Sequence, residues 1–192
     1  MTASRPVQPQ LVVIGASAGG VTALRQLISA LPATFPAPVL IVLHLPRDRP
    51  SQLAQVLGRG GAVPVCEAAD KQRLAPGHVY VAPPDYHLLV EDRDSVALSV
   101  DEPVLFSRPS IDVLFESAAH VFGGGVLALL LTGASSDGSH GVAAVRRVGG
   151  VAWVQDPEDA DVALMPASAL AHAGADAVLT LGQMARQLAA LT

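Results

Sequence analysis

The residues best suited to chemistry are a serine, a histidine and an aspartate, each just downstream of an apolar run. Gly15-Ala16-Ser17-Ala18-Gly19-Gly20 follows the run at 11–14, His44-Leu45-Pro46 follows 39–43, and Thr132-Gly133-Ala134-Ser135-Ser136-Asp137-Gly138 follows 126–131. Gly15, Ser17 and Gly19 satisfy the G-x-S-x-G pattern. In that pattern a serine sits on a sharp strand-to-helix turn, where small neighbours let the backbone bend and a substrate approach. The helix behind it offers free N–H groups and a positive dipole end to a developing oxyanion. A purely structural turn is the plain alternative. A dinucleotide loop is disfavoured, because Ser17 stands where a glycine is needed and His44 where an acidic residue is expected. A phosphate loop is disfavoured because no Lys-Ser or Lys-Thr follows the glycines.

A serine nucleophile needs a base, and His44 follows the apolar run next in order after that of Ser17, so both belong at one sheet edge. His78, His87 and His172 read as turn or surface residues, His120 lies inside a helix, and His140 starts one. A third group must orient the imidazole and stabilise its cation. Asp137, between an apolar run and Gly138, suits that role; its alternative is to cap the next helix. The order Ser, His, Asp differs from the Ser, Asp/Glu, His order of the common α/β-hydrolases. A metal site built from His44, His140, Asp137 and Asp112 is disfavoured, because no H-x-x-x-H or H-E-x-x-H spacing supports it.

The elements that must position these groups are legible in the pattern of apolar residues. Strands are expected at 11–14, 39–43, 63–66, 79–81, 126–131, 151–154 and 177–181, and an antiparallel hairpin at 88–90 and 96–100. Helices are expected at 20–31, 51–57, 110–122 with Ser110 as its cap, 139–148, 167–172 and the C-terminus. The main strands are unbroken Val, Ile and Leu runs, as in parallel strands covered by helices on both faces. The fold class is therefore α/β, with a doubly wound, mainly parallel sheet. Residues 1–9 read as a tail and 10–192 as one domain. In such a sheet, ligands sit at the carboxyl ends of the strands, where the three loops lie.

Composition agrees. Of 192 residues, 51% are apolar but only 15% are charged, which excludes intrinsic disorder. No apolar run approaches the ~20 residues of a spanning helix, and the N-terminus carries no secretion signal. The net charge is −5, and no basic stripe interleaved with aromatics suggests nucleic acid. Cys66 is the only cysteine, which rules out an intrachain disulfide; it reads as a core filler, and a cytoplasmic location is expected.

Six segments in order carry a family resemblance. They are Ile14-Gly15-Ala16-Ser17-Ala18-Gly19-Gly20, His44-Leu45-Pro46, Pro76-Gly77-His78-Val79-Tyr80-Val81-Ala82-Pro83, Arg108-Pro109-Ser110-Ile111-Asp112-Val113-Leu114-Phe115, Leu131-Thr132-Gly133 with Asp137-Gly138, and Gln155-Asp156 with Met165-Pro166. Together they resemble the catalytic domain of the chemotaxis protein-glutamate methylesterases (CheB). The resemblance implies hydrolysis of γ-glutamyl methyl esters on the cytoplasmic helices of chemoreceptors, with deamidation of glutamines in some members. It implies a three-layer α/β/α sandwich carrying an antiparallel hairpin, and a Ser–His–Asp triad that falls on Ser17, His44 and Asp137. No cofactor or metal is expected. Ala134-Ser135 stand where the family usually has Met-Gly, Ala18 where it has Thr, and Leu45 where it has Met. Candidate oxyanion and substrate contacts are Ala18, Gly133, Ala134 and Arg108. Arg47, Arg49, Arg59 and Arg108 are candidates for docking an acidic receptor surface. Members typically begin with a receiver domain; with about ten residues before the first strand, the chain as given has no room for one. Control by a separate regulatory protein, an unregulated enzyme and an excised domain are the readings left open. A hydrolase for another ester or amide, and a non-catalytic anion-binding module, are the rival functions.

Overall fold

The computed structural model describes residues 8–46, 48 and 50–191. Most of the expected tail, together with Arg47 and Arg49, lies outside the described residues. The elements run β1 (Leu11–Ala16), α1 (Gly20–Ser29), β2 (Val39–Leu43), α2 (Leu53–Gly58), β3 (Val65–Glu67), β4 (Val79–Val81), β5 (His87–Val90) and β6 (Val96–Ser99). Then follow α3 (Ile111–Phe122), a short 3-10 turn (Gly123–Gly125), β7 (Val126–Leu130), α4 (Ser139–Arg147), β8 (Val151–Gln155), α5 (Leu164–Ala173), β9 (Ala177–Leu179) and α6 (Leu181–Ala189).

Seven strands form one parallel sheet in the order β3-β4-β2-β1-β7-β8-β9. β5 and β6 pair antiparallel as a separate hairpin. Every residue of β1, β2 and β7 is buried, because both faces are covered. Leu11 and Val13, Leu40 and Val42, and Val126, Ala128 and Leu130 face a core shared with α3, α4, α5 and the hairpin. Their alternates, Val12 and Ile14, Ile41 and Leu43, and Leu127 and Leu129, face a second core shared with α1, α2 and α6. These are the three layers. Solid apolar strands follow from two-sided burial, since a strand wet on one face must alternate.

The chain leaves β1 toward β2 and returns on the other side through β7, so the strand order reverses between β1 and β7. A crevice opens at the carboxyl ends of such neighbours. Register then aligns the loops. Ala16 pairs with Leu43 and Gly15 with Leu130, so Ser17 and His44 emerge at one level on adjacent strands. The ladder continues one step beyond the strands, with His44 N–H donating to Ala16 O (3.2 Å) and Ser17 N–H to Thr132 O (3.0 Å).

Most boundaries shift by one or two residues from expectation, and two of the shifts have a clear local cause. α5 starts three residues early, at Leu164, and takes Pro166 into its first turn, where a missing N–H costs no intrahelical bond. β9 stops at Leu179, because the Thr180 side chain caps α6 in a reciprocal capping box with Gln183.

Candidate active site

Ser17 occupies the turn between β1 and α1. Its neighbour Gly19 has φ of +79°, a left-handed conformation that ends the strand and starts the helix, and a Cβ there would lie 2.7 Å from Asp161. Gly133 brings the β7–α4 loop against the serine: a Cβ on it would fall 2.9 Å from Ser17 Cβ and 2.7 Å from Met165 Sδ. Ser17 is half-buried, and among the described residues its hydroxyl makes no hydrogen bond.

His44 follows β2, and its side chain is 14% exposed. Its Nε2 lies 2.8 Å from Asp137 Oδ2. An ionised aspartate only accepts, so Nε2 carries the proton and Nδ1 is left with a free lone pair.

Asp137 is fully buried and caps a helix, but not the one that follows it in sequence. Gly138, at φ +97°, caps α4. The Asp137 carboxylate instead reaches the first turn of α3: Oδ2 accepts from Ile111 N–H (2.7 Å), and Oδ1 accepts from Asp112 N–H (3.0 Å) and Ser110 Oγ (2.9 Å). Burial alone would raise its pKa. The His44 hydrogen bond, the two backbone donors and the imidazole charge outweigh it and hold the carboxyl below the ordinary aspartate range. A lowered pKa keeps Asp137 ionised at neutral pH, as a partner for an imidazolium must be.

Two neighbours were not legible as site residues. His87, expected on the surface, is 1% exposed. Its Nδ1 accepts from Ser110 N–H (3.1 Å), so its Nε2–H donates to Glu102 O (3.1 Å). It is buried because β5 packs against α3, a tertiary contact with no local signal. Removing it leaves the Ser110 N–H unpaired next to Asp137. His87→Ala is expected to lower the melting temperature by several degrees, from a loss of about 1–3 kcal/mol, checked by thermal unfolding.

The second neighbour is Asp112. Its backbone serves Asp137, and its carboxylate, 5% exposed, accepts from Gly141 N–H at 2.7 Å. Burial, with the Asp137 charge adding to it, pushes the group up to about 6, while the Gly141 bond and His140 pull the other way. The folded protein thus keeps a proton that the unfolded chain releases between about pH 4 and the folded-state value. On this account Asp112 makes stability fall as pH rises through that window. The melting temperature of Asp112→Asn relative to the native protein should therefore increase between pH 5 and pH 7.

Other expected contacts are engaged elsewhere. Gly133 N–H donates to Val162 O (3.0 Å) and is not available to an oxyanion. Arg108 binds Asp85 Oδ1 through Nε (3.1 Å) and Nη2 (2.8 Å), and binds Val100 O and Asp101 O through Nη1, which ties down the segment before α3. Among the described residues the Ala18 and Ala134 N–H groups donate to nothing. Arg59 ends α2 and lines a polar hollow with Thr22, Arg25, Gln26 and Ser29. His140 packs edge-on against His172, with ring centroids 4.5 Å apart. Among the described residues no group of three or more His, Cys, Asp or Glu is placed to hold a metal ion, and no helix is long and apolar enough to cross a membrane. Beside His44, an apolar groove of about 240 Å³ is lined by Val21, Leu45, Pro46, Pro50, Leu53 and Val56, among others.

Comparison with known proteins places this chain in the carboxylic ester hydrolase class. The family model "CheB methylesterase" matches residues 12–188, and the chain belongs to that family. The crystal structure of the Thermotoga maritima CheB methylesterase catalytic domain superposes with a TM-score of 0.90 at 33% identity, covering 97% of this chain and 100% of that one. A Leptospira interrogans protein is 42% identical over 176 residues, 92% of this chain and 91% of its own length. "Protein-glutamate methylesterase/protein-glutamine glutaminase 1" of Anaeromyxobacter dehalogenans is 42% identical over 185 residues, 95% of this chain. The match spans 53% of that relative's length.

Proposed function

We propose that this chain is a cytoplasmic protein-glutamate methylesterase, acting on γ-glutamyl methyl esters of chemoreceptor helices through Ser17, His44 and Asp137. The observation that carries the reading is the 2.8 Å His44–Asp137 hydrogen bond, on a strand end whose register sets Ser17 level with His44. His44 Nδ1 takes the Ser17 proton as the hydroxyl attacks the ester carbonyl. Asp137 holds Nε2–H and stabilises the imidazolium. The oxyanion is received by the uncommitted Ala18 and Ala134 N–H groups, and His44 returns its proton to the departing methanol. Water, activated by the same imidazole, then hydrolyses the acyl-enzyme. The same sequence with ammonia as leaving group covers a glutamine side chain.

The test is methanol release from methylated chemoreceptor, alongside a simple methyl ester. Release from the receptor is expected. Activity on the simple ester alone would assign another substrate, and no activity on either would favour an anion-binding module.

A further inference from the structure

Asp137 is held from two sides. Its carboxylate is bound by the first turn of α3, whereas its backbone leads through Gly138 directly into α4. The direction in which the carboxylate faces therefore depends on how those two helix N-termini sit against each other. They meet closely: a Cβ on Gly138 would lie 3.0 Å from Ile111 Cγ2, and one on Gly141 would lie 2.5 Å from Phe115 Cβ. Asp112 bridges this seam. Its N–H donates to Asp137 Oδ1 at 3.0 Å, and its own carboxylate accepts from Gly141 N–H at 2.7 Å, in the first turn of α4.

We propose that Asp112 is a positioning residue for the triad: it locks the first turn of α4 against that of α3 and thereby aims the Asp137 carboxylate at His44 Nε2. This rests on the assignment of Asp137 as the triad carboxylate. The burial of Asp112 argues for a specific role. A carboxylate facing a second buried carboxylate is electrostatically costly, and an amide there could also accept from Gly141 N–H. The ionised form, however, binds the helix N-terminus more strongly than an amide does, through a charge-assisted bond and the dipole of α4. The groups that face it are Asp137 from the β7–α4 loop, His140 from α4 and Glu116 from its own helix.

The test compares Asp112→Ala and Asp112→Asn with the native protein. It uses methanol-release kcat and KM, and the downfield proton NMR signal of a histidine N–H bonded to carboxylate. Asp112→Ala is expected to lower kcat by about 10- to 100-fold, the scale of a small misplacement, with KM unchanged and the downfield signal lost. Asp112→Asn, whose amide oxygen can still accept from Gly141 N–H, is expected to restore kcat to within a few-fold and to recover the signal. Native kcat and an unaltered signal in Asp112→Ala would overturn the proposal, as would a folded Asp112→Asn that has lost the signal. If Asp112→Ala does not fold, Asp112→Ser, whose hydroxyl stops one bond short of the Asp112 carboxylate oxygens, takes its place with the same readouts. If the native protein releases no methanol, the methylesterase reading fails separately; the NMR signal still decides whether Asp112 orients the pair, since it needs no substrate.

Discussion

Ser17→Ala is expected to abolish methanol release from methylated receptor, a loss on the order of 10⁶ in kcat, with the fold intact. The size follows from the chemistry. Without the hydroxyl there is no acyl-enzyme, and the His44–Asp137 pair has nothing to activate but water. What survives is the contribution of substrate binding and the oxyanion donors. The fold should survive because the Ser17 hydroxyl makes no hydrogen bond among the described residues and is half-exposed, so a methyl group leaves neither a cavity nor an orphaned partner. Melting temperature should stay within about a degree while activity disappears. A variant that keeps more than a hundredth of native activity would remove Ser17 from the mechanism.

Asp137→Ala is expected to lower kcat by about 10⁴, with KM nearly unchanged. Two effects combine. His44 loses the acceptor that fixes its Nε2–H tautomer, so Nδ1 is no longer held ready as the base. It also loses the buried negative charge that offsets an imidazolium. This substitution, unlike the one at Ser17, also weakens the fold. Ile111 N–H and Asp112 N–H lose a shared buried acceptor, at about 1–3 kcal/mol for each donor left unpaired. The Ser17→Ala, Asp137→Ala double variant should be no less active than Ser17→Ala alone, because the groups act as one unit. Additive losses would mean that Asp137 acts independently of the serine.

The architecture was legible because two-sided burial writes itself into sequence. Runs such as 39–43 and 126–131 have no polar alternation, and that alone implies helices on both faces. Loops at the carboxyl ends of such strands then gather Ser17, His44 and Asp137 without further information. Beyond the His44–Asp137 pair, the partners of these groups were not legible, since they are set by contacts between segments far apart in the chain. The alternative open to Asp137 was to cap the helix after it, yet its carboxylate caps α3, 26 residues earlier at Ile111. Only the close approach of α3 and α4 decides that. His87 looked exposed because its neighbours Asp85 and Tyr86 are turn-like, and it is buried because β5 leans on α3. Arg108 looked available as a cation, but its guanidinium is consumed by Asp85 and two carbonyls. Gly133 was a reasonable oxyanion donor by position, until Val162 O took its N–H. In each case residue type was informative and pairing was not, because hydrogen-bond satisfaction is a property of the packed molecule.

A Ser17 nucleophile activated by His44 reacts covalently with serine-directed phosphonates. Covalent capture tests it most directly: reaction with a fluorophosphonate, read by intact mass and peptide mapping, for the native protein, Ser17→Ala and His44→Ala. One adduct is expected on the native chain, located at Ser17, absent from Ser17→Ala and formed far more slowly in His44→Ala. An unlabelled native protein, or an adduct that forms equally well in Ser17→Ala, would contradict it.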